Sequence, residues 1–345
     1  MRVDEGAAVR PLAWRTTCRE VAMQRVLTAV LALGAALALL LMPPSASGAD
    51  QRLSVVATTG MIADAVREIG GDQVQVDGLM GPGIDPHSYR QTRSDIVAMT
   101  RADLVLWHGL YLEAQMEEFL QRLIKRQTVV AVAEELDRDR LLGHEDYDDK
   151  RDPHVWMDPA LWADVVATVR DAMIEARPDL EAIFRARATD YIERVERLGQ
   201  WATEVTSSVP VESRVLLTAH DAFAYFGRAH DFEVIGIQGI STESEAGLRR
   251  IRDLVDLLVE REIAAVFVES SVSERNIRAL VEGAASRGHE VRIAGTLYSD
   301  AMGPADRYEG TYIGMIDHNI TTIVRALGGE APAGGMQGRL TEAAP

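Results

Sequence analysis

An α/β fold of two lobes, each with a central, mostly parallel sheet flanked by helices, is predicted by three features of the sequence. Short β-branched runs alternate with longer stretches of helical spacing, the pattern of β-α-β units. The alternation occurs once in residues 50–177 and again in residues 209–328. Between them, residues 178–208 hold a helical pattern interrupted by no proline after Pro178 and by no glycine except Gly199, which suits one long linking helix.

In the first half, strands are expected at Leu53–Thr59, Val74–Met80, Leu104–His108 and Thr128–Ala133, with helices at Met61–Ile69, Asp95–Thr100 and Glu113–Lys125. The second strand runs into the Gly81-Pro82-Gly83 turn. In the second half, strands are expected at Arg214–Ala219, Glu233–Gln238, Ala264–Glu269 and Val291–Leu297. Leu248, Ile251, Leu254, Val255 and Leu258 give the 3.6-residue period of a helix. Further helices are expected at Ser273–Arg287 and Ile313–Leu327, and residues 329–345, rich in Gly, Ala and Pro, read as a flexible tail. In the linking stretch, Phe184, Ala188, Tyr191, Val195 and Leu198 keep helical spacing. A single helix of roughly 30 residues would span about 45 Å, and two helices broken near Gly199 satisfy the pattern equally.

Residues 1–49 read as a signal peptide. Arg25 precedes the apolar run Val26–Met42, and Pro43–Ala49 supplies small residues at its exit, with cleavage expected near Gly48 or Ala49. The leader is long and partly acidic, and Met23 gives a cleaner start. A cleaved, soluble periplasmic protein is expected. Cys18, the one cysteine, lies before the apolar run, not after it, so neither a lipid anchor nor a disulfide is expected. Cores alone must hold the fold, which its size permits.

The formal charge of the chain is −17, and residues 1–49 contribute a net +2, which leaves −19 beyond them. Such acidity argues against nucleic acid or anionic lipid as a partner and is compatible with cation capture. Three histidines and an aspartate stand where a ligand would bind. His87 and His154 each close an Asp-Pro-His tripeptide, His220 follows the strand Val215–Ala219, and Asp300 follows the strand ending at Leu297. Open α/β sheets bind ligands beyond the carboxyl ends of their strands. Two of these residues come from each half, and three imidazoles with one carboxylate complete a four-coordinate shell for a borderline divalent cation. Taken singly, a histidine is more often a helix cap, a core residue or a surface residue than a ligand. Proline before His87 and His154 stiffens both loops.

The first half carries DPHSY at Asp85–Tyr89 with Asp95, GLYLE at Gly109–Glu113 and PHVWMDP at Pro153–Pro159. The second half adds TAHDAFAYF at Thr218–Phe226, FEVIGIQGISTESE at Phe232–Glu245, VES at Val268–Ser270 and LYSDAM at Leu297–Met302. In this order the stretches resemble the zinc- and manganese-binding proteins of bacterial ABC importers, the TroA-like or ZnuA-like family (cluster A-I). The resemblance implies two α/β lobes bridged by one rigid helix, with metal ligands at His87, His154, His220 and Asp300. It implies a membrane permease and its ATPase as partners, a divalent cation as cargo, a monomer, and room for a metallochaperone that loads it. Members oriented to manganese or iron often carry Glu at the third position, so His220 points to Zn2+ first and Mn2+ second. The loop Leu141–Asp152 is short, with His144 and the acids Glu145, Asp146, Asp148 and Asp149, and reads as a solvated loop. His108 stands where relatives often have Asn, and His230, His289 and His318 read as structural or surface groups.

Two rivals follow. One is an importer component specific for manganese or iron. The other is a secreted zinc metalloenzyme, disfavoured because a catalytic zinc keeps an open position whereas four protein ligands close the shell. The chain has no His-Glu-x-x-His run and no Gly-x-Ser-x-Gly elbow, and Glu243, Glu245 and Glu269 are paired with no reacting group.

Overall fold

The computed structural model describes residues 52–144 and 149–341, together with Met23. The expected signal peptide, apart from Met23, and the acids Glu145, Asp146 and Asp148 lie outside the described residues.

The first lobe holds a four-stranded parallel sheet in the order β2-β1-β3-β4, built from β1 (Leu53–Ala57), β2 (Val74–Gly78), β3 (Leu104–Trp107) and β4 (Val129–Ala131). β3 is buried throughout and β1 almost so, as expected of parallel strands covered on both faces, whereas the edge strand β2 is mostly exposed. Helix α1 (Gly60–Gly70) follows β1, and α2 (Arg93–Arg101) follows β2. The start of α2 is fixed by a capping box in which Thr92 and Asp95 satisfy each other's backbone donors. Helix α3 (Glu117–Leu123) is shorter than the expected Glu113–Lys125. Gly109, Leu110 and Tyr111 take positive φ before it, and Glu113 turns its carboxylate inward to accept from Thr58 Oγ1 at 2.6 Å and His108 N at 2.8 Å. Those acceptor duties tie Glu113 to the end of β3 instead of a helical turn.

The α4 helix (Pro159–Ala176), 18 residues long, was not among the expected elements. Its signals are local: Asp158 caps Ala160 N, proline occupies the first turn, and Leu161, Val165, Val169 and Met173 share a buried face. The linking stretch is a single helix of 26 residues, α5 (Glu181–Thr206), continuous through Gly199. A side chain at Gly199 would stand 3.3 Å from Pro159 Cβ, so the glycine there serves close helix packing and not a break.

The second lobe contains the parallel pairs β5 (Val215–His220) with β6 (Glu233–Gln238), and β7 (Ala265–Glu269) with β8 (Arg292–Leu297). Its helices are α6 (Ala224–His230), α7 (Leu248–Glu260), α8 (Arg275–Ala285) and α9 (Tyr312–Ala326). Among the described residues, no helix is long and apolar enough to cross a membrane.

One apolar core runs through both lobes. It joins Val55 and Met61 of the first lobe to Trp162 on α4, Phe184, Tyr191 and Val195 on α5, and Tyr312 and Ile320 on α9. Trp162 stacks on Tyr312 with ring centroids 5.0 Å apart. The long helix is therefore embedded, not a free-standing strut.

The flexible tail expected at 329–345 requires correction as far as Leu340. Ala331, Met336 and Leu340 pack on the main core, and Met336 N donates to the buried Asp317 carboxylate at 2.9 and 3.0 Å. Gly335 makes this approach possible: its φ is +74°, and a Cβ there would meet Asp317 Oδ1 at 2.4 Å. Composition suggested a loose end because it shows Gly and Pro but not the acceptor that awaits them.

Asp64 on α1 ties three helices together. Its Oδ2 accepts from Tyr191 OH on α5 and from Tyr312 N at the start of α9, both at 3.0 Å. Burial pushes its carboxyl up to about 6 from 3.8. The native protein thus holds a proton that the unfolded chain releases, so this group's contribution to stability falls as pH rises from about 4 through 6. A gap of about two units corresponds to roughly 3 kcal/mol. Asp64→Asn keeps a carbonyl for both donors and removes the titration. Urea denaturation should show the Asn variant gaining on the parent by roughly 2–3 kcal/mol between pH 4 and pH 7.5. Parallel pH profiles for the two proteins would exclude Asp64 as the titrating group.

Candidate metal centre

The four residues singled out in the sequence converge. One ligand atom from each of His87, His154, His220 and Asp300 lies within 4.8 Å of the others, and all four side chains are buried. His87 Nε2 is 3.3 Å from His154 Nε2. His154 Nε2 is 3.4 Å from Asp300 Oδ1, and His220 Nε2 is 3.2 Å from Asp300 Oδ2.

Each side chain is delivered by a local device. The two Asp-Pro-His tripeptides work alike. Asp85 Oδ1 accepts from His87 N, and Asp152 Oδ1 accepts from His154 N, each at 2.9 Å, so the aspartate folds each loop around the proline. Asp152 Oδ1 also lies 2.7 Å from His154 Nδ1, which fixes the ring so that Nε2 faces the cluster. His220 ends the buried strand β5, and β7 runs beside it to place Glu269. Glu269 Oε1 accepts from His220 N at 2.9 Å, and its Oε2 lies 2.5 Å from His220 Nδ1. Asp300 sits in the turn after β8, with Ser271 Oγ donating weakly to Oδ2 at 3.4 Å.

Sequence reading missed the bracing by Asp85 and Asp152, although the repeated tripeptide was its signal. Glu269, set aside there as paired with no reacting group, lies against a histidine. Trp156 was also missed: its Nε1 donates to Ser299 O at 2.8 Å and joins the His154 segment to the Asp300 turn.

The charge state follows from the neighbours. Burial holds His87 down to about 3, with His154 and His220 adding to the effect and Asp300 opposing it. Burial also opposes the charged form of His154, but Asp152 and Asp300 outweigh it and push that ring up to about 9. His220 is likewise raised well above the usual histidine range, since Asp300 and Glu269 overcome its burial. Burial would lift Asp300, yet the facing imidazoles hold it well below the usual carboxylate range. Without a cation, the facing carboxylates favour the protonated forms of His154 and His220, whereas burial favours neutral His87. That arrangement leaves His220 Nε2 and Asp300 Oδ1 buried without an aligned hydrogen-bond partner. A cation between the lobes would satisfy both atoms, and the donor set of three nitrogens and one oxygen suits zinc.

The other histidines stay outside the cluster. His108 lies one layer behind, its Nε2 donating to Pro153 O at 2.7 Å and its ring edge-on to Trp156. His230 packs against Phe226, His289 donates to Ile263 O and His318 to Thr296 O. Gly143 and Arg151 bridge the base of the loop that carries the acids.

Residues 55–326 match the family described as zinc-uptake complex component A, periplasmic (ZnuA). The manganese-binding lipoprotein MntA of Bacillus subtilis is 48% identical over 279 residues, covering 81% of this chain and 91% of that protein. The zinc-binding protein TroA of Treponema pallidum is 44% identical over 281 residues, again 81% and 91%. The solved structure of T. pallidum TroA superposes with a TM-score of 0.78 over 80% of this chain and 99% of that one. Fe(III)-bound YtgA from Chlamydia trachomatis gives 0.72 at 28% identity, covering 81% and 99%. With that match spanning both lobes, the chain belongs to the ZnuA family of periplasmic zinc-uptake components.

Proposed function

We propose that this protein is the cation-capturing component of an ABC importer, with His87, His154, His220 and Asp300 as the ligands. The observation that carries the reading is the buried convergence of four donors from two lobes, two of whose atoms lack an aligned hydrogen bond. Zinc is the proposed cargo and manganese the second candidate. Relatives bear names for manganese, zinc and iron, but three imidazoles with one carboxylate favour the softer ion, and zinc outranks manganese in intrinsic affinity. Four protein donors leave no open position, which favours carriage over turnover.

The lobes are taken as residues 50–177 and 209–328, with 178–208 linking them and the protein working on the periplasmic side of the membrane. Capture exchanges protons for metal: His154 and His220 must each lose a proton, while His87 is already neutral. Asp152 and Glu269 hold the two rings in place and sustain their basicity when the protons leave. A permease with its ATPase would then receive the ion. Because one core runs through both lobes, release is expected through loops and not through a wide hinge.

Titration of the metal-free protein with zinc should give one site per chain, weakened well over about 100-fold in His220→Ala and Asp300→Ala. Elemental analysis after gel filtration checks the stoichiometry, and retention of zinc by both variants would contradict the ligand set. Glu269→Gln should weaken zinc by about 10- to 100-fold while leaving one site. Calorimetry at pH 7 in two buffers of different ionisation enthalpy should report release of about two protons per zinc, with affinity rising between pH 6 and 8. Binding without proton release would mean that the empty site does not hold the protons assigned to it.

A further inference from the structure

We propose that the loop carrying His87 is the gate of the site and that the hydrogen bond from Thr242 to Asp85 is its latch. The proposal rests on the reading of the four residues as the cation site.

Three of the four donors are braced by buried bonds that cross between the lobes or lead to fixed strands. The His154 segment is held to the second lobe by Trp156 Nε1 donating to Ser299 O at 2.8 Å, Tyr312 OH to Trp156 O at 2.9 Å and Tyr225 OH to Asp152 O at 2.8 Å. These three aromatic side chains are fully buried. The bond from Trp156 to Ser299 also anchors the residue next to Asp300. His220 belongs to a strand and is gripped by Glu269 at both its backbone and its ring. Such bonds open only when the surrounding core opens.

The His87 loop is held differently. Between β2 and α2, residues Gly81 to Ile84 are exposed, as are Ser88 and Arg90, whereas Met80, Pro86 and His87 are buried. Among the described residues, no carboxylate braces the His87 ring as Asp152 and Glu269 brace the other two. Its hydrogen bond to the other lobe is Thr242 Oγ1 donating to Asp85 Oδ2 at 2.7 Å. Asp85 is well placed to relay this bond, since its Oδ1 accepts from His87 N. Thr242 lies in the stretch between β6 and α7, whose Glu243, Ser244 and Glu245 are exposed. Gln238 Nε2 steadies that stretch by donating to Ser244 O at 3.0 Å.

Beside the loop lies a cavity of about 140 Å³, partly open to solvent. It is lined on one side by Pro82, Ile84 and Pro86, and on the other by Asp300, Ala301 and Met302. The cavity leaves the Pro82–Pro86 side of the loop loosely packed, and Asp300 is among its lining residues. Segments with little buried apolar contact and exposed polar ties are those that open at low cost. Breaking the Thr242–Asp85 bond would free the loop from the second lobe, while His154, His220 and Asp300 keep their own ties.

The test is stopped-flow transfer of bound zinc to excess chelator, with hydrogen exchange measured on the metal-free protein. Thr242→Val should release zinc about tenfold faster at unchanged stoichiometry and raise exchange in residues 81–92 without raising it in residues 152–157. Thr242→Ser, which keeps the hydroxyl, should restore the parental rate. One bound zinc with an unaltered release rate in Thr242→Val overturns the latch alone. Faster release accompanied by exchange at residues 152–157 places the opening on the His154 side and also overturns it. A parent protein that binds no zinc removes the site, and the latch with it.

Discussion

Four ionisable side chains packed together away from water set the terms for the rest of the structure. Burial penalises every charged form, so each charge in the cluster exists only because a neighbour of opposite sign supports it. Asp300 stays ionised because His154 and His220 face it, and those rings stay protonated because Asp152 and Glu269 stand behind them. In the proposed capture, a divalent cation replaces protons on these rings, so the charge of the cluster changes little. A site with this property can be emptied and filled without rebuilding the core around it.

Geometry of this kind needs a scaffold that brings distant loops to one point and holds them there. The strands supply the direction, with His220 ending β5 and Asp300 following β8, at the carboxyl ends where open α/β sheets bind ligands. The long helix α5 supplies the distance: its buried face, from Phe184 to Val205, packs within a core shared by both lobes. Asp64 adds a polar fastening where α1, α5 and α9 meet. Movement is therefore directed to the parts outside that core, and the His87 loop, flanked by a cavity, is one of them.

Much of this was legible in the sequence because it rests on periodicity and chain order. The eight strands follow β-branched runs, and α7 follows the spacing of Leu254, Val255 and Leu258. The four residues that converge were singled out by their place after strands and by the Asp-Pro-His repeat. The remainder depended on partners distant in sequence. The start of α3 was misjudged because Glu113 accepts from Thr58 and His108, contacts that no local pattern announces. Gly199 suggested a break because its packing partner, Pro159, is 40 positions away along the chain. The end of the chain looked loose because Asp317, which receives Met336 N, carries no mark of that role. The parts Asp152 and Glu269 play behind His154 and His220 belong to the same class, since a carboxylate that orients an imidazole looks like any other until the fold places it.

The proposed function requires a cation held by three imidazoles and one carboxylate contributed by both lobes. X-ray absorption at the zinc edge of the loaded protein addresses it most directly. The expected spectrum has a four-coordinate shell of three nitrogens and one oxygen near about 2.0–2.1 Å, with the outer-shell scattering of imidazole rings. A shell of six oxygens without imidazole scattering would contradict the claim and move the ion to surface carboxylates.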